Sequence, residues 1–287
     1  MRVVITGADG QLGRELRRTL ADFEPVPLDL PTFDLTDPSC GRHIVEAAPD
    51  VVIHAGAYTD VDGAEREQER AMAVNAQGTA RVAQAAKRVG ARLLYISTDY
   101  VFDGRKVSPY EESDVPSPLN HYGRSKLAGE EQVLLGGGNV LIVRTAWLYG
   151  GEGKHFVKTI LALADERPVL RVVADQRGCP TRAQDLAGAL RELLDSDTQG
   201  ILNVTNEGSC SWFEFAQEIV AMSGKAATVE PITTAQAARL APRPAYSVLS
   251  AERRRRLGIA MPHWKEALRQ YVDAALPVQP GHRDGRA

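Results

Sequence analysis

The chain alternates short apolar runs with amphipathic stretches. Arg2-Val3-Val4-Ile5-Thr6 is a compact β-branched run of the kind that forms a buried strand. Val26-Pro27-Leu28, Val51-Val52-Ile53-His54-Ala55, Arg92-Leu93-Leu94-Tyr95-Ile96 and Val140-Leu141-Ile142-Val143-Arg144 repeat the pattern. Runs apolar on both faces fit the strands of a covered parallel sheet. Helical patterns lie between them. Leu12, Leu16, Thr19 and Leu20 share one face, and a second helix is predicted over about 38–48. A long helix over about 69–89 turns Val74, Val82, Ala85, Ala86 and Val89 inward and stops at Gly90. Asn75 inside it reads as a solvated polar residue, and His54 as a satisfied core histidine. From His121 onward a further helix carries Leu127, Leu134 and Leu135. Alternation of this kind predicts an α/β fold with a doubly wound parallel sheet.

After Trp147 the alternation loosens. A helix is expected over 155–164, a strand over 169–173, a polar turn over 175–181 and a helix near 183–194 that returns to the first lobe. A strand at 201–204 follows, then a helix capped by Ser211 and running to about residue 222. Arg253-Arg254-Arg255-Arg256 reads as a solvated helix face, and 264–275 as a last amphipathic helix. The expected division is a nucleotide-binding domain over 1–147 plus about 165–198, and a smaller mixed α/β C-terminal substrate-binding lobe over about 148–164 and 199–276. The Pro-, Gly- and charge-bearing stretch 277–287 reads as a flexible tail.

Composition narrows the functions. The 287 residues are 44% hydrophobic and 25% charged, an ordinary globular profile. A net charge of −3 offers no electrostatic footprint for nucleic acid. No apolar run reaches the length of a membrane span. Cys40, Cys179 and Cys210 are odd in number and lack metal spacing, which fits a reducing cytoplasm. The chain enters its first strand at once, so no signal peptide is expected. Gly136-Gly137-Gly138 is a turn, because no Lys-Ser/Thr follows it.

Candidate chemistry sits at three strand ends. Gly7-Ala8-Asp9-Gly10-Gln11-Leu12-Gly13 joins the first strand to the first helix with G-x-x-G-x-x-G spacing. Glycines let the backbone approach a pyrophosphate, and the helix N-terminus offers free N–H groups to it. This is the Rossmann-type arrangement. Asp29 closes the second strand about 20 residues on, where an acid takes the adenosine ribose hydroxyls, or where it caps a loop. Its carboxylate would repel a 2′-phosphate, while Arg14 would offset that. Ser97-Thr98 ends the fourth strand and can hydrogen-bond a carbonyl or cap a turn. Tyr122 and Lys126 are four residues apart on a helix and therefore share a face. A phenol has an unperturbed pKa of about 10, and an adjacent ammonium lowers it toward a usable proton donor.

Further runs extend this set: Tyr58-Thr59 with Val61-Asp62, Ser97-Thr98-Asp99-Tyr100-Val101-Phe102, Arg144-Thr145 with Trp147, Asp175-Gln176 with Pro180-Thr181, and Arg243-Pro244 with Ser247 and Leu249. Together the runs resemble the extended short-chain dehydrogenase/reductases, and within them the dTDP-4-dehydrorhamnose reductase family, from residue 1 to about 275. The resemblance implies reduction of the 4-keto group of a dTDP-sugar with NADPH or NADH. It implies Thr98, Tyr122 and Lys126 as catalytic residues: Thr98 holds the carbonyl, Tyr122 protonates it, and Lys126 binds the nicotinamide ribose and lowers the Tyr122 pKa. It places Gly7, Gly10, Gln11, Leu12, Gly13, Asp29, Asp34, Leu35, Ala55 and Ala57 on the cofactor, with Tyr122 and Lys126. Thr98, Tyr100, Trp147, Gln176 and Arg177 fall to the substrate.

Two positions depart from the family pattern. Gly56 stands where many relatives have alanine, and Asp29 is followed by Leu30-Pro31, with no basic residue for a 2′-phosphate. Glu15 matches one position of a glutamate set that holds Mg2+ at a dimer interface in some relatives, but the full set is not found, and no metal is assigned. A monomer or homodimer is implied. Two alternatives remain open on the sequence: a non-catalytic regulatory subunit of this fold, as accompanies methionine adenosyltransferase, and a reductase or epimerase for another nucleotide sugar.

Overall fold

Strand residues that alternate between two apolar layers build the sheet. Val3 and Ile5 face one layer with Leu12, Leu16, Leu186 and Leu190, while Val4 between them faces the other with Ile44, Val82 and Val133. Val51 and Ile53 against Val52, and Leu141 and Val143 against Ile142, repeat this division. Each such buried side chain contributes about 1.5–3 kcal/mol relative to exposure.

The computed structural model describes residues 1–275; the stretch 277–287, expected to be a flexible tail, lies outside the described residues. In chain order the elements are β1 (Val3–Thr6), α1 (Gln11–Thr19), β2 (Val26–Leu28), α2 (Gly41–Ala47), β3 (Val51–His54), α3 (Val61–Arg66), α4 (Gln68–Met72), α5 (Thr79–Arg88), β4 (Arg92–Thr98), α6 (His121–Gly136) and β5 (Val140–Thr145). Then come β6 (Leu148–Tyr149), α7 (Phe156–Glu166), β7 (Val169–Val173), β8 (Arg177–Gly178), β9 (Thr181–Arg182), α8 (Ala183–Leu194), β10 (Gly200–Asn203), β11 (Cys210–Ser211), α9 (Trp212–Ser223), β12 (Thr228–Ile232), α10 (Thr234–Ala237), α11 (Glu252–Arg256) and α12 (Trp264–Ala275).

The main sheet has the order β10-β5-β4-β3-β1-β2, with every neighbouring pair parallel. α1 and α8 pack together on one face, α2, α5 and α6 on the other. The chain leaves β1 toward β2 and then returns to β3 on the far side, so the crevice opens at the carboxyl ends of β1 and β3. The fold is the expected doubly wound Rossmann-type sheet. Among the described residues no helix is long and apolar enough to cross a membrane.

Four expectations change. β7 pairs with β12 and packs in the second core, beside Val157, Phe215 and Leu268, rather than with the first domain. β10 extends the main sheet beside β5, rather than belonging to the smaller lobe. The helix expected over 69–89 is broken by a π-helical stretch, Ala73–Gly78, a feature that often marks a functional site. Arg254 is not solvated: it is 1% exposed and donates to the Glu207 carboxylate and to the Ile259 carbonyl oxygen. Ser211 does cap α9, in a capping box with Glu214.

Candidate active site

The glycine turn is shaped by close backbone packing. Gly7 has φ +68, and a Cβ there would lie 2.5 Å from the Gly56 nitrogen. A Cβ on Gly13 would fall 2.0 Å from the Gly7 carbonyl oxygen, so only glycine lets α1 start this close to β1. Gly10 is the α1 N-cap; no side chain caps the helix and no acid occupies its first turn. The first N–H groups of α1 and its positive dipole end are therefore left for an anion.

A cleft of about 630 Å3 opens over this turn. Its lining gathers Gly7, Gly10, Gln11, Leu12, Gly13, Asp29, Asp34, Leu35, Ala55, Ala57, Tyr122 and Lys126, together with Thr98 and Trp147. The lining also includes Phe33, Val74 and Ile96, which the sequence did not assign to the site, and Thr59 and Thr145, which it named only within longer runs. Thr145 had one readable signal, its place at the carboxyl end of an apolar strand. The Gln11 Nε2 and Thr145 Oγ1 atoms are buried with no protein partner. A cleft over the glycine turn, a bare helix N-terminus and two orphaned polar atoms fit a dinucleotide. In the cleft lining the Asp29 carboxylate accepts hydrogen bonds from the Asp9 nitrogen (2.7 Å) and the Leu30 nitrogen (2.8 Å).

α6 carries the candidate proton donor into the cleft. Asn120 caps it by accepting from the Gly123 nitrogen at 2.8 Å, and a Cβ on Gly123 would meet the Tyr100 carbonyl oxygen at 2.2 Å. Tyr100 is not in the cleft lining; its ring sits edge-on to Tyr122, centroids 5.8 Å apart. Asn75, expected to be solvated, is buried in the π-helical stretch. Its side-chain amide bridges the Tyr58 nitrogen (2.8 Å) and Tyr58 carbonyl oxygen (3.0 Å), and donates to Ser125 Oγ at 2.9 Å. Ser125 in turn donates to the Tyr122 carbonyl oxygen at 2.8 Å. Asn75 thus fixes α6 to the turn after β3, and a lone amide in an apolar helix face was its only sequence signal.

One turn beyond Lys126, Glu130 is buried at 2% exposure and accepts from Arg144 Nε (2.9 Å) and Nη2 (2.6 Å) and from Ser97 Oγ (2.5 Å). The Ser97 hydroxyl, a candidate for holding a carbonyl, is therefore committed to Glu130. The Thr98 hydroxyl donates to Asp99 Oδ1 at 3.0 Å and accepts from the Tyr100 nitrogen at 3.2 Å. His54 is a satisfied core residue, 2.6 Å from Thr6 Oγ1 and 3.0 Å from Thr79 Oγ1. Burial, reinforced by the Lys126 charge, holds its pKa down at about 3.

The electrostatics of the pair differ from expectation. Lys126 Nζ donates to the Ile96 carbonyl oxygen at 2.7 Å and lies 4.2 Å from the Tyr95 ring centroid. It does not lower the phenol: burial pushes Tyr122 up to about 12, the Thr98 hydrogen bond pulls it back, and the Asp99 charge raises it. Burial also brings Lys126 down to about 7, opposed by the Glu130 carboxylate. Asp99 is itself raised by burial to about 7, against hydrogen bonds from Ser247 and Thr98 that lower it. Sequence spacing gave a shared helix face but not the depth at which that face is buried.

The substrate-side residues disperse. Trp147 lines the cleft, but Gln176 and Arg177 are not in its lining. Gln176 Nε2 donates to Thr234 Oγ1 at 3.0 Å, and Arg177 pairs with the Glu214 carboxylate at 3.0 Å. Both are held within the second lobe by partners far away in sequence. Among the described residues no group of three or more His, Cys, Asp or Glu is placed to hold a metal ion. Glu15 pairs with Arg18 at 3.1 Å.

The family model described as RmlD substrate binding domain matches residues 1–276. The chain belongs to this family. A dTDP-4-dehydrorhamnose reductase of Burkholderia thailandensis is 44% identical over 93% of the chain and 97% of the relative. The spore coat polysaccharide biosynthesis protein SpsK of Bacillus subtilis is 43% identical over 94% of the chain and 96% of the relative. The structure of the Bacillus anthracis dTDP-4-dehydrorhamnose reductase in complex with NADP superposes with a TM-score of 0.91, at 43% identity, covering 94% of this chain and 98% of that one.

Proposed function

We propose that this member of the RmlD family reduces the C4 ketone of dTDP-4-dehydro-L-rhamnose to dTDP-L-rhamnose, using NADPH or NADH. The single observation that carries the reading is the meeting of Thr98, Tyr122 and Lys126 with the glycine turn in one cleft. Relatives named for this reaction, similar over nearly the whole chain, support the substrate.

When bound, the reduced nicotinamide supplies the hydride. The α1 N-terminus and Gly7, Gly10, Gln11, Leu12 and Gly13 hold the pyrophosphate. Asp29 takes the adenosine ribose, Asp34 and Leu35 border the adenine, and Ala55 and Ala57 line the path toward the reacting end. Lys126, whose Nζ donates to the Ile96 carbonyl oxygen, would hold the nicotinamide ribose. Thr98 donates to the ketone oxygen in place of Asp99 and sets it against Tyr122. Tyr122 then delivers its hydroxyl proton to that oxygen as C4 gains the hydride. With its pKa near 12 the phenol keeps this proton throughout the neutral range. An alkoxide is the stronger base, so transfer from the phenol runs toward the alcohol. Trp147 packs on the sugar. The buried free thiols of Cys40, Cys179 and Cys210 suit a reducing cytoplasmic setting.

The test is cofactor oxidation with dTDP-4-dehydrorhamnose, comparing NADPH with NADH. Asp29 faces a 2′-phosphate with like charge, so NADH is expected to serve alongside NADPH. Turnover with neither cofactor overturns the reading.

A further inference from the structure

The second lobe reaches the cleft through a residue in an uncommon backbone conformation. Trp147 has φ +46. Bulky side chains seldom adopt this region, and such residues persist where the surroundings over-determine them, often at ligand sites.

Three contacts fix Trp147. The Thr181 nitrogen donates to its carbonyl oxygen at 3.2 Å. Its indole stacks on Trp212 with centroids 3.5 Å apart and planes within 7°. Gly178 lies against the same indole, so closely that a Cβ there would fall 2.4 Å from Trp147 Cε2. The last two supports are themselves joined. Gly178 in β8 pairs with Cys210 in β11, two residues before Trp212 opens α9. Trp212 is backed by the Phe156 ring at 4.5 Å. Trp212 and Gly178 thus clamp the Trp147 indole from opposite faces, and the residue, which lines the cleft with Thr98 and Tyr122, meets it along the ring edge.

We infer that Trp212 and Gly178 are positioning residues that hold the Trp147 indole at the angle at which it receives the sugar ring, and so set the affinity for the nucleotide sugar. The inference rests on Trp147 being the sugar-facing residue. A sugar oxygen that meets the positive edge of an indole makes a contact that depends on orientation. An indole locked before binding loses no rotamer freedom when the sugar arrives. The cofactor half of the cleft has no part in this support, so its affinity is unaffected.

The test uses full-length Trp212→Leu, Trp212→Phe and Gly178→Ala, with Trp147→Leu as reference. Kinetics are measured with dTDP-4-dehydrorhamnose at saturating NADPH, beside NADPH binding and far-UV circular dichroism. Trp212→Leu and Gly178→Ala are expected to raise KM about tenfold, with kcat within about twofold and NADPH binding unchanged. Trp212→Phe, which keeps a ring on the indole, restores most of the affinity. Gly178 is outside the left-handed region, so alanine there perturbs the indole and not the backbone; it carries the test if Trp212→Leu fails to fold. Unchanged KM in Trp212→Leu and Gly178→Ala, with KM raised in Trp147→Leu, overturns the inference and leaves the sugar-facing role of Trp147 intact. Unchanged KM in Trp147→Leu as well removes the role itself.

Discussion

The two walls of the cleft are made of different material. The wall at the glycine turn is largely backbone: that turn, a bare helix N-terminus and strand ends, all within the first part of the chain. The opposite wall is made by the Trp147 side chain, which is held from outside the lining by distant segments, Gly178 in β8 and Trp212 at the start of α9. A backbone site is specified by short local spacing. A side-chain platform is specified by which elements pack together.

This contrast can be broken by substitution, beginning where the walls meet. Tyr122→Phe removes the proton donor and leaves the ring, so kcat should fall about 10²–10⁴-fold while NADPH binds as before. Loss of cofactor binding in that variant would place Tyr122 on the other wall. Glu130→Ala strips the buried partner from Arg144 and should cost about 3–5 kcal/mol of stability, read from urea unfolding. A cost within the range of a surface change would show that the ion pair is dispensable. Gly13→Ala puts a methyl group into the Gly7 carbonyl and should cost about 1–3 kcal/mol of stability through overpacking, with weaker NADPH binding because the turn must shift. The KM for the nucleotide sugar, measured at saturating NADPH, should stay near wild type.

A further effect, read against pH, concerns the sheet under both walls. Folded His54 stays neutral down to about 3, whereas the unfolded imidazole protonates at 6.5. Between those values the unfolded chain binds more protons, so stability falls as pH drops through that window. His54→Gln should flatten the acid limb of a stability–pH curve measured by thermal unfolding. An unchanged limb would assign the acid sensitivity to other groups.

The same contrast explains what could be read from the sequence. The sheet, the glycine turn and the Tyr122–Lys126 face were legible because each is encoded by a period or spacing within a few residues. Asn75, Glu130 and the Trp147–Trp212 stack were not, because their meaning depends on partners such as Tyr58, Ser97 and Phe156 on other elements. The strand at 169–173 was placed in the wrong domain for a similar reason: its sequence shows that it is a strand, but its partner β12 lies far down the chain. The direction of the Tyr122 shift also escaped. A lysine four residues away is visible in a sequence; the burial of the phenol and the diversion of that lysine to the Ile96 carbonyl oxygen are not.

The central claim is that this cleft brings a hydride and a proton to one ketone. Transfer from NADPH carrying deuterium at the nicotinamide C4 tests it most directly, with dTDP-4-dehydrorhamnose as acceptor and the product followed by nuclear magnetic resonance. The account predicts a dTDP-6-deoxysugar with deuterium at C4 of the sugar and nowhere else, when the transferable face of the cofactor is labelled. Label at another carbon, or no cofactor oxidation at all, would contradict it.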